Sequence, residues 1–233
     1  MSKSSTTYII AGASPDIITT PPPIPIENLI AHYPFSDGSG NIVLETFLGR
    51  NLIFPGTEKP TWVTGGLNFN NKKRIQTGSF SGPSGDVTIL GVAIHRSQGP
   101  PCYHYSLDSW TVYTQASSNQ FTLSVPGGGS AIKNISLTTA RFFAITQTGT
   151  TATFYLSTLG TVGVQAWGFN NISLSHTGYE KIYVGGNNST NGLNQLTMYY
   201  FSVYSSCLDV VSLQSISDII RPIVIARGVS VPN

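Results

Sequence analysis

From residue 29 to residue 204 the chain is a succession of short runs rich in Val, Ile, Thr, Phe and Tyr, cut at close intervals by Gly, Pro, Asn and Ser. That spacing leaves no room for helices between strands, so it selects an antiparallel sandwich or barrel and excludes βαβ units. The runs 29–35, 74–79, 87–94, 102–107 and 131–137 read as strands. Runs 110–115 and 120–125 predict a hairpin around Ser117-Ser118-Asn119, and 141–147 with 151–157 a second across Thr148-Gly149-Thr150. Asp37-Gly38-Ser39-Gly40-Asn41 is a dense turn: its glycines take φ > 0 freely and its short polar side chains bond their own backbone. One stretch breaks the pattern. Val210, Val211, Leu213, Ile216, Ile219 and Ile220 recur at helical spacing, which predicts a short helix over 209–220.

The two ends differ from the middle. Residues 1–28 read as an extended, Pro-rich arm: Pro21-Pro22-Pro23 fix φ and remove donors, so the segment is neither helix interior nor central strand. Tyr8-Ile9-Ile10 and the Ile24/Ile26 alternation are wasted in water, so Tyr8, Ile9, Ile10, Pro21, Pro22, Pro23, Ile24 and Ile26 are read as an assembly arm that docks on a partner. Residues 221–233 open on a helix stop at Pro222 and continue as an apolar strand, to join the sheet or a neighbouring subunit. The division is then 1–28 arm, 29–220 sandwich, 221–233 tail.

Composition narrows the function classes. Charged residues are 9% of the chain, against roughly 25% in ordinary soluble domains. Polarity comes instead from Ser, Thr, Asn, Gln and 24 Gly, a surface suited to turns, sugar contacts or burial in an assembly. Net charge is +2 and no basic cluster exceeds Lys72-Lys73-Arg74, which reads as a solvated strand edge; nucleic-acid binding has no support. The N-terminus lacks the apolar core of a signal peptide, and no stretch nears the ~18 apolar residues of a membrane span, so the expectation is synthesis in the cytoplasm without export or membrane insertion. Cys102 and Cys207 could pair only if the fold brings them together; free, buried thiols are the favoured reading.

Two blocks carry a family resemblance. His32-Tyr33-Pro34-Phe35-Ser36-Asp37-Gly38-Ser39-Gly40-Asn41, followed by Pro60-Thr61-Trp62-Val63-Thr64-Gly65-Gly66-Leu67-Asn68-Phe69-Asn70, resembles the opening strands of the LamG-like jelly rolls, the concanavalin A-like lectin and glucanase sandwiches. Phe142-Phe143-Ala144-Ile145-Thr146, the run 154–160, Lys181-Ile182-Tyr183-Val184-Gly185-Gly186 and the run 196–209 extend it to about residue 220, where the family places a short closing helix. The resemblance implies an all-β, two-sheet jelly roll. It departs at Ser157-Thr158-Leu159-Gly160 and at 194–198, which lack the family's usual Asp-Gly and its Gly and acids, and this weakens any carry-over of a metal or sugar site. The fold alone hosts enzymes, lectins and structural modules.

The chemistry-bearing residues point to binding. Glucanases of this sandwich need a nucleophile and an acid about 5 Å apart. Among the ten acids no two stand at i, i+2 or i, i+4, and the expectation is that the chain is not an enzyme. His95 and His104 could face each other across neighbouring strands, but without an adjacent acid they make a poor metal site; no metal and no cofactor is expected. Asp37 and Asn41 suit a turn ahead of a calcium ion. A sugar needs an aromatic face with amides and hydroxyls around it. Tyr103, Tyr105, Trp110 and Tyr113, interleaved with Ser and His104, offer that mix, as do Asn187, Asn188 and Asn191 in the loop after Tyr183; Trp167 and Phe169 are a third place. Competing readings are an ordinary core with alternate rings turned inward and a plain polar loop.

Taken together, a lectin-like jelly roll with low charge and apolar or Pro-rich tails resembles a virion component of a tailed bacteriophage: a fibre, receptor-binding or capsid-decorating protein. That resemblance implies virion proteins and further copies of the chain as partners, and host-surface glycan as the attachment target. The rivals are a secreted carbohydrate-binding module and a glycan hydrolase.

Overall fold

The computed structural model describes residues 23–70, 74–81, 85–95, 102–107, 110–115, 120–124, 130–134, 139–149, 151–157, 164–169, 179–186 and 196–231; in 80–81, 102–134, 151–152 and 164–180 it describes the backbone alone. The strands in chain order are β1 (Leu29–Tyr33), β2 (Ile42–Val43), β3 (Leu52–Ile53), β4 (Thr61–Val63), β5 (Gly66–Asn68), β6 (Ile75–Gln76), β7 (Phe80–Ser81), β8 (Val87–His95) and β9 (Cys102–Leu107). They continue as β10 (Trp110–Gln115), β11 (Gln120–Ser124), β12 (Ser130–Asn134), β13 (Arg141–Thr148), β14 (Thr151–Ser157), β15 (Val164–Phe169), β16 (Tyr179–Glu180), β17 (Ile182–Val184) and β18 (Leu196–Tyr204). One helix, α1 (Val210–Ala226), follows. Among the described residues no helix is long and apolar enough to cross a membrane.

Apart from β7 and β16, which pair separately, these strands form the antiparallel two-sheet sandwich that the sequence predicts. The first sheet runs β15-β14-β13-β8-β18-β5-β4, with β1 beside β5 on the same flank of β18; the second runs β12-β11-β10-β9-β17-β6-β3-β2. Both predicted hairpins form, as β10–β11 and β13–β14. Between the sheets lies a layer of buried side chains: Ile89, Ala93, Phe143, Ile145, Phe201 and Val203 from the first sheet meet Val43, Leu52, Ile75, Ile182 and Val184 from the second.

The central strands of the first sheet are buried on both faces, so they read as unbroken apolar runs. On β8, Ile89 and Ala93 point between the sheets while Leu90 and Val92 point outward, under α1. On β18 the alternation slips, because a bulge between Met198 and Tyr200 inserts Tyr199. Tyr199, Tyr200 and Tyr204 therefore face the helix side, while Met198, Phe201 and Val203 stay between the sheets. Gly91 makes this crossing possible: a Cβ there would stand 2.1 Å from the Tyr200 carbonyl oxygen.

The helix starts where the sequence predicts. Asp209 caps it, accepting a hydrogen bond from Ser212 N at 2.8 Å. Its end differs from the prediction. Pro222 does not stop it, and residues 221–226 are helix where a strand was expected. Pro222 lies on the exposed side, next to the exposed Asp218, whose carbonyl water can satisfy. The buried stripe Leu213, Ile216, Ile220 and Val224 continues across the proline and holds the last turn down. Gly228, at φ +84°, closes the helix, with its N–H donated to Ile225 O at 2.9 Å.

Both tails, where described, fold onto this chain. Val229 and Val231 are buried in the helix-side layer, and Arg221 Nε and Nη2 donate to Val231 O at 3.3 and 3.2 Å. From the arm, Ile24 is 3% exposed in the same layer, and Pro25 O accepts the Tyr204 hydroxyl at 3.0 Å. Pro23 is exposed and Ile26 is 42% exposed. Tyr8, Ile9, Ile10, Pro21 and Pro22 lie outside the described residues.

Candidate functional site

Two polar constellations stand out, one closed and one open. The closed one lies beside the helix. His32, 3% exposed, hydrogen-bonds Thr46 Oγ1 through Nδ1 and the Tyr200 hydroxyl, at 2.5 Å, through Nε2. Glu45, also 3% exposed, organises the loop beside it. Its Oε1 accepts from His32 N at 2.8 Å and Phe47 N at 2.7 Å; its Oε2 accepts from Leu48 N and from Arg50 N at 3.2 Å. A carboxylate committed to four backbone donors has little capacity left for chemistry. Burial, helped by the Arg227 charge, lowers the His32 pKa to about 4, which keeps the ring neutral. This cluster is a fastener, closed to ligands of any size.

The open constellation lies on the outer face of the second sheet. On β17, Ile182 and Val184 point into the inter-sheet layer, so Tyr183 between them lies on the outer side, where it is nonetheless covered, at 5% exposed. Strand register extends that outward row: Ile42 pairs with Ile53, Ile53 with Gln76, Gln76 with Tyr183, and Tyr183 with Ser106. Ile53 is 57% exposed and Ile42 39%. Arg74 lays its guanidinium over the Tyr183 ring, 4.8 Å from the centroid. Apolar surface, an amide and a stacked cation thus lie along one line crossing four strands, about 14 Å at the usual strand spacing. The first sheet has no such face, because α1 packs across β13, β15 and β18.

Only part of this was read from the sequence. Lys72-Lys73-Arg74 was expected at a strand edge; Lys72 and Lys73 lie outside the described residues, and Arg74 directly precedes β6, which sits between β17 and β3. Tyr183 was noted only as a neighbour of the loop 187–192. The usable signal was local: Arg74 and Gln76 alternate around the core residue Ile75, and Tyr183 stands between two core residues. Glu45 left no signal, since its four donors are set by the path of the loop.

The sequence-predicted sugar residues are brought into the same sheet. Tyr103 and Tyr105 lie on β9, Trp110 and Tyr113 on β10, next to β17. Tyr105 pairs with Val184 and with Val112, and Tyr103 pairs with Tyr113 across a register shift. Their side chains lie outside the described residues, as do Asn187, Asn188 and Asn191, while Trp167 and Phe169 fall on β15 of the other sheet. His95 and His104 are not neighbours: His95 is on β8 of the first sheet and His104 on β9 of the second. Asp37 accepts from Leu44 N at 3.2 Å and Asn41 Oδ1 accepts from Lys59 Nζ at 3.0 Å, so both serve their turn. Cys207 is a free thiol but exposed, where a buried one was expected.

Comparison with known proteins places the fold. No protein-family pattern and no curated protein matches the chain. Among solved structures it is similar to a Trypanosoma rangeli sialidase in complex with 2,3-difluorosialic acid, at 11% identity and TM-score 0.65, over 86% of this chain and 34% of that one. It is also similar to a GH54 α-L-arabinofuranosidase, at 12% identity and TM-score 0.59, over 77% of this chain and 50% of the other. A third likeness is to the receptor-binding domain of botulinum neurotoxin mosaic serotype C/D, at 9% identity and TM-score 0.60, over 82% and 50%. The chain therefore spans about a third of the sialidase and half of each of the others. At such identities the likeness establishes the β-sandwich fold alone. It also overturns the expectation that the chain is not an enzyme: two of these three proteins are glycosidases, so the shape belongs to glycosidase chains as well as to a binding domain.

Proposed function

We propose that this chain is a carbohydrate-binding β-sandwich whose ligand lies on the outer face of the second sheet. The observation that carries the reading is the outward row Ile42, Ile53, Gln76 and Tyr183. A pyranose has apolar C–H patches and a rim of hydroxyls, and this row offers the exposed Ile42 and Ile53 and the Gln76 amide, with the Arg74 guanidinium beside them over the buried Tyr183 ring. The similar solved structures are a sialidase, an arabinofuranosidase and a toxin's receptor-binding domain, which supports a glycan over other ligands. Tyr103, Tyr105, Trp110 and Tyr113 belong to strands β9 and β10 of the same sheet, and Asn187, Asn188 and Asn191 follow β17 in sequence. A glycan array probed with the full chain tests this. Binding that Ile53→Asp and Gln76→Ala weaken supports the reading; binding that neither variant changes, or no binding, overturns it.

The finer form places the sandwich on a bacteriophage virion as a fibre, receptor-binding or decorating protein that attaches to host glycan. Low charge and the Pro-rich arm support it. Immunogold labelling of purified virions with an antibody to the chain tests it, and absence of label rejects it.

A second reading, glycan hydrolysis, is favoured by the two glycosidases among the similar structures. A screen of the chain against chromogenic sialosides and arabinofuranosides tests it; turnover retained when any single acid of the chain is replaced would argue against it.

A further inference from the structure

We propose that Arg74, seated on the ring of Tyr183, is a carboxylate anchor, and that the sugar taken by this face is an acidic one. The inference rests on the carbohydrate-binding reading above and narrows its substrate class.

The argument starts from what the guanidinium has and lacks. Its central carbon stands over the Tyr183 ring, 4.8 Å from the centroid. The group carries five N–H donors in its plane. One edge atom, Nη1, is shielded from water and has no hydrogen-bond acceptor. Among the described residues no carboxylate pairs with Arg74. Buried donors without acceptors are uncommon in native proteins, and each calls for an explanation such as an absent ligand.

The chemistry of the gap selects the ligand. A guanidinium edge matches a carboxylate with two parallel N–H···O bonds, and such charge-assisted pairs are about twice as strong as neutral ones. A single cation balances a single negative charge, which favours a carboxylate over a phosphate. Gln76 pairs in register with both Tyr183 and Ile53, so an amide and an exposed apolar side chain lie on the same outward row. A pyranose whose carboxylate meets Arg74 can set its hydroxyls on Gln76 and its C–H face toward Ile53. The low charge of the chain sharpens the point: a stacked, unmatched cation on a sheet face is conspicuous where charged residues are 9% of the total.

Calorimetric titration of the full chain with glucuronate and N-acetylneuraminate, against glucose and the N-acetylneuraminate methyl ester, tests the inference. At least about tenfold tighter binding of the acids is expected, falling as salt is added. Arg74→Gln should remove that preference, Arg74→Lys should retain part of it by keeping the charge without the planar edge, and the charge-matched control Lys59→Gln should leave it intact. Circular dichroism confirms that each variant folds; if Arg74→Gln does not, Arg74→Lys decides. Acidic and neutral sugars bound alike, or a preference that survives Arg74→Gln, would each overturn the inference while leaving the carbohydrate-binding reading standing. Failure to bind any sugar overturns both.

Discussion

Phe201 and Tyr200 are neighbours on β18, and they face layers built on different chemistry. Phe201 enters the layer between the sheets, among Ala93, Phe143, Met198 and Val203, where contact is almost wholly apolar. Tyr200 enters the layer beneath α1, where its hydroxyl meets the His32 ring at 2.5 Å and the ring edges meet at 66°. The inter-sheet layer needs apolar side chains on the correct parity and adequate volume. The helix-side layer needs particular partners, because each buried polar group without one is costly. Strand alternation encodes the first layer directly; the second depends on a bulge at Tyr199, a cap at Asp209 and a loop gathered around Glu45.

The largest effect should come from emptying the dry layer. Phe201→Ala removes a fully buried ring between the sheets and should cost about 4 kcal/mol, read by urea denaturation. A cost below about 1 kcal/mol would mean that this layer does not hold the sheets together. Glu45→Ala attacks the other layer by a different route. It empties little volume but strands four backbone donors, and about 3 kcal/mol of stability should go with them. Hydrogen exchange should quicken at the amides of Phe47, Leu48 and Arg50 while β8 and β13 stay protected. Equal quickening throughout would show that the layers do not differ in this way.

Each layer also holds one histidine, which allows a pH comparison. His95 sits edge-on to Phe143, 5.3 Å between ring centroids, with burial lowering its pKa to about 3; His32 sits at about 4. In both, the folded value lies below the ordinary 6.5, so the unfolded chain takes the proton first. Stability is therefore whole above pH 6.5 and falls on acidification, with a slope of about 1.4 kcal/mol per pH unit for each histidine. The His32 contribution levels off below about pH 4 and that of His95 below about pH 3. Urea midpoints between pH 3 and 7 should show about one proton less of slope in His32→Asn than in the parent. An unchanged slope would place a proton on the folded His32 ring and break its assigned role.

How much of this was legible follows from the same contrast. The strands of the inter-sheet layer, both hairpins and the start of the helix were readable, since alternation and caps are local. The bulge was not. Tyr199 and Tyr200 look like ordinary strand residues, and only the close passage of Tyr200 O over Gly91 shows why two successive tyrosines face one way. The candidate site was half legible. Tyr103, Tyr105, Trp110 and Tyr113 were placed on strands and fall on β9 and β10, but the position of Arg74 over Tyr183 was not seen, because its triplet was read as charge and not as alternation around Ile75. Which strands neighbour β6 is a matter of topology, set by contacts far apart in sequence.

Pro222 gives the smallest effect and the finest test of the helix-side layer. Local chemistry says that a proline ends a helix, and here it does not, because the apolar stripe from Leu213 to Val224 outweighs one missing hydrogen bond. Pro222→Ala restores a donor for the Asp218 carbonyl and removes a ring clash, worth up to ~3 kcal/mol in an ideal helix interior. The unfolded chain gains freedom from the same change, and the helix has already adapted, so the net gain should be about 1 kcal/mol. Thermal unfolding measures it. A loss instead would mean that Pro222 is required where it stands: it would help set Arg221 toward Val231 O and seat the tail, making the proline part of the packing and not merely a defect tolerated on the exposed side.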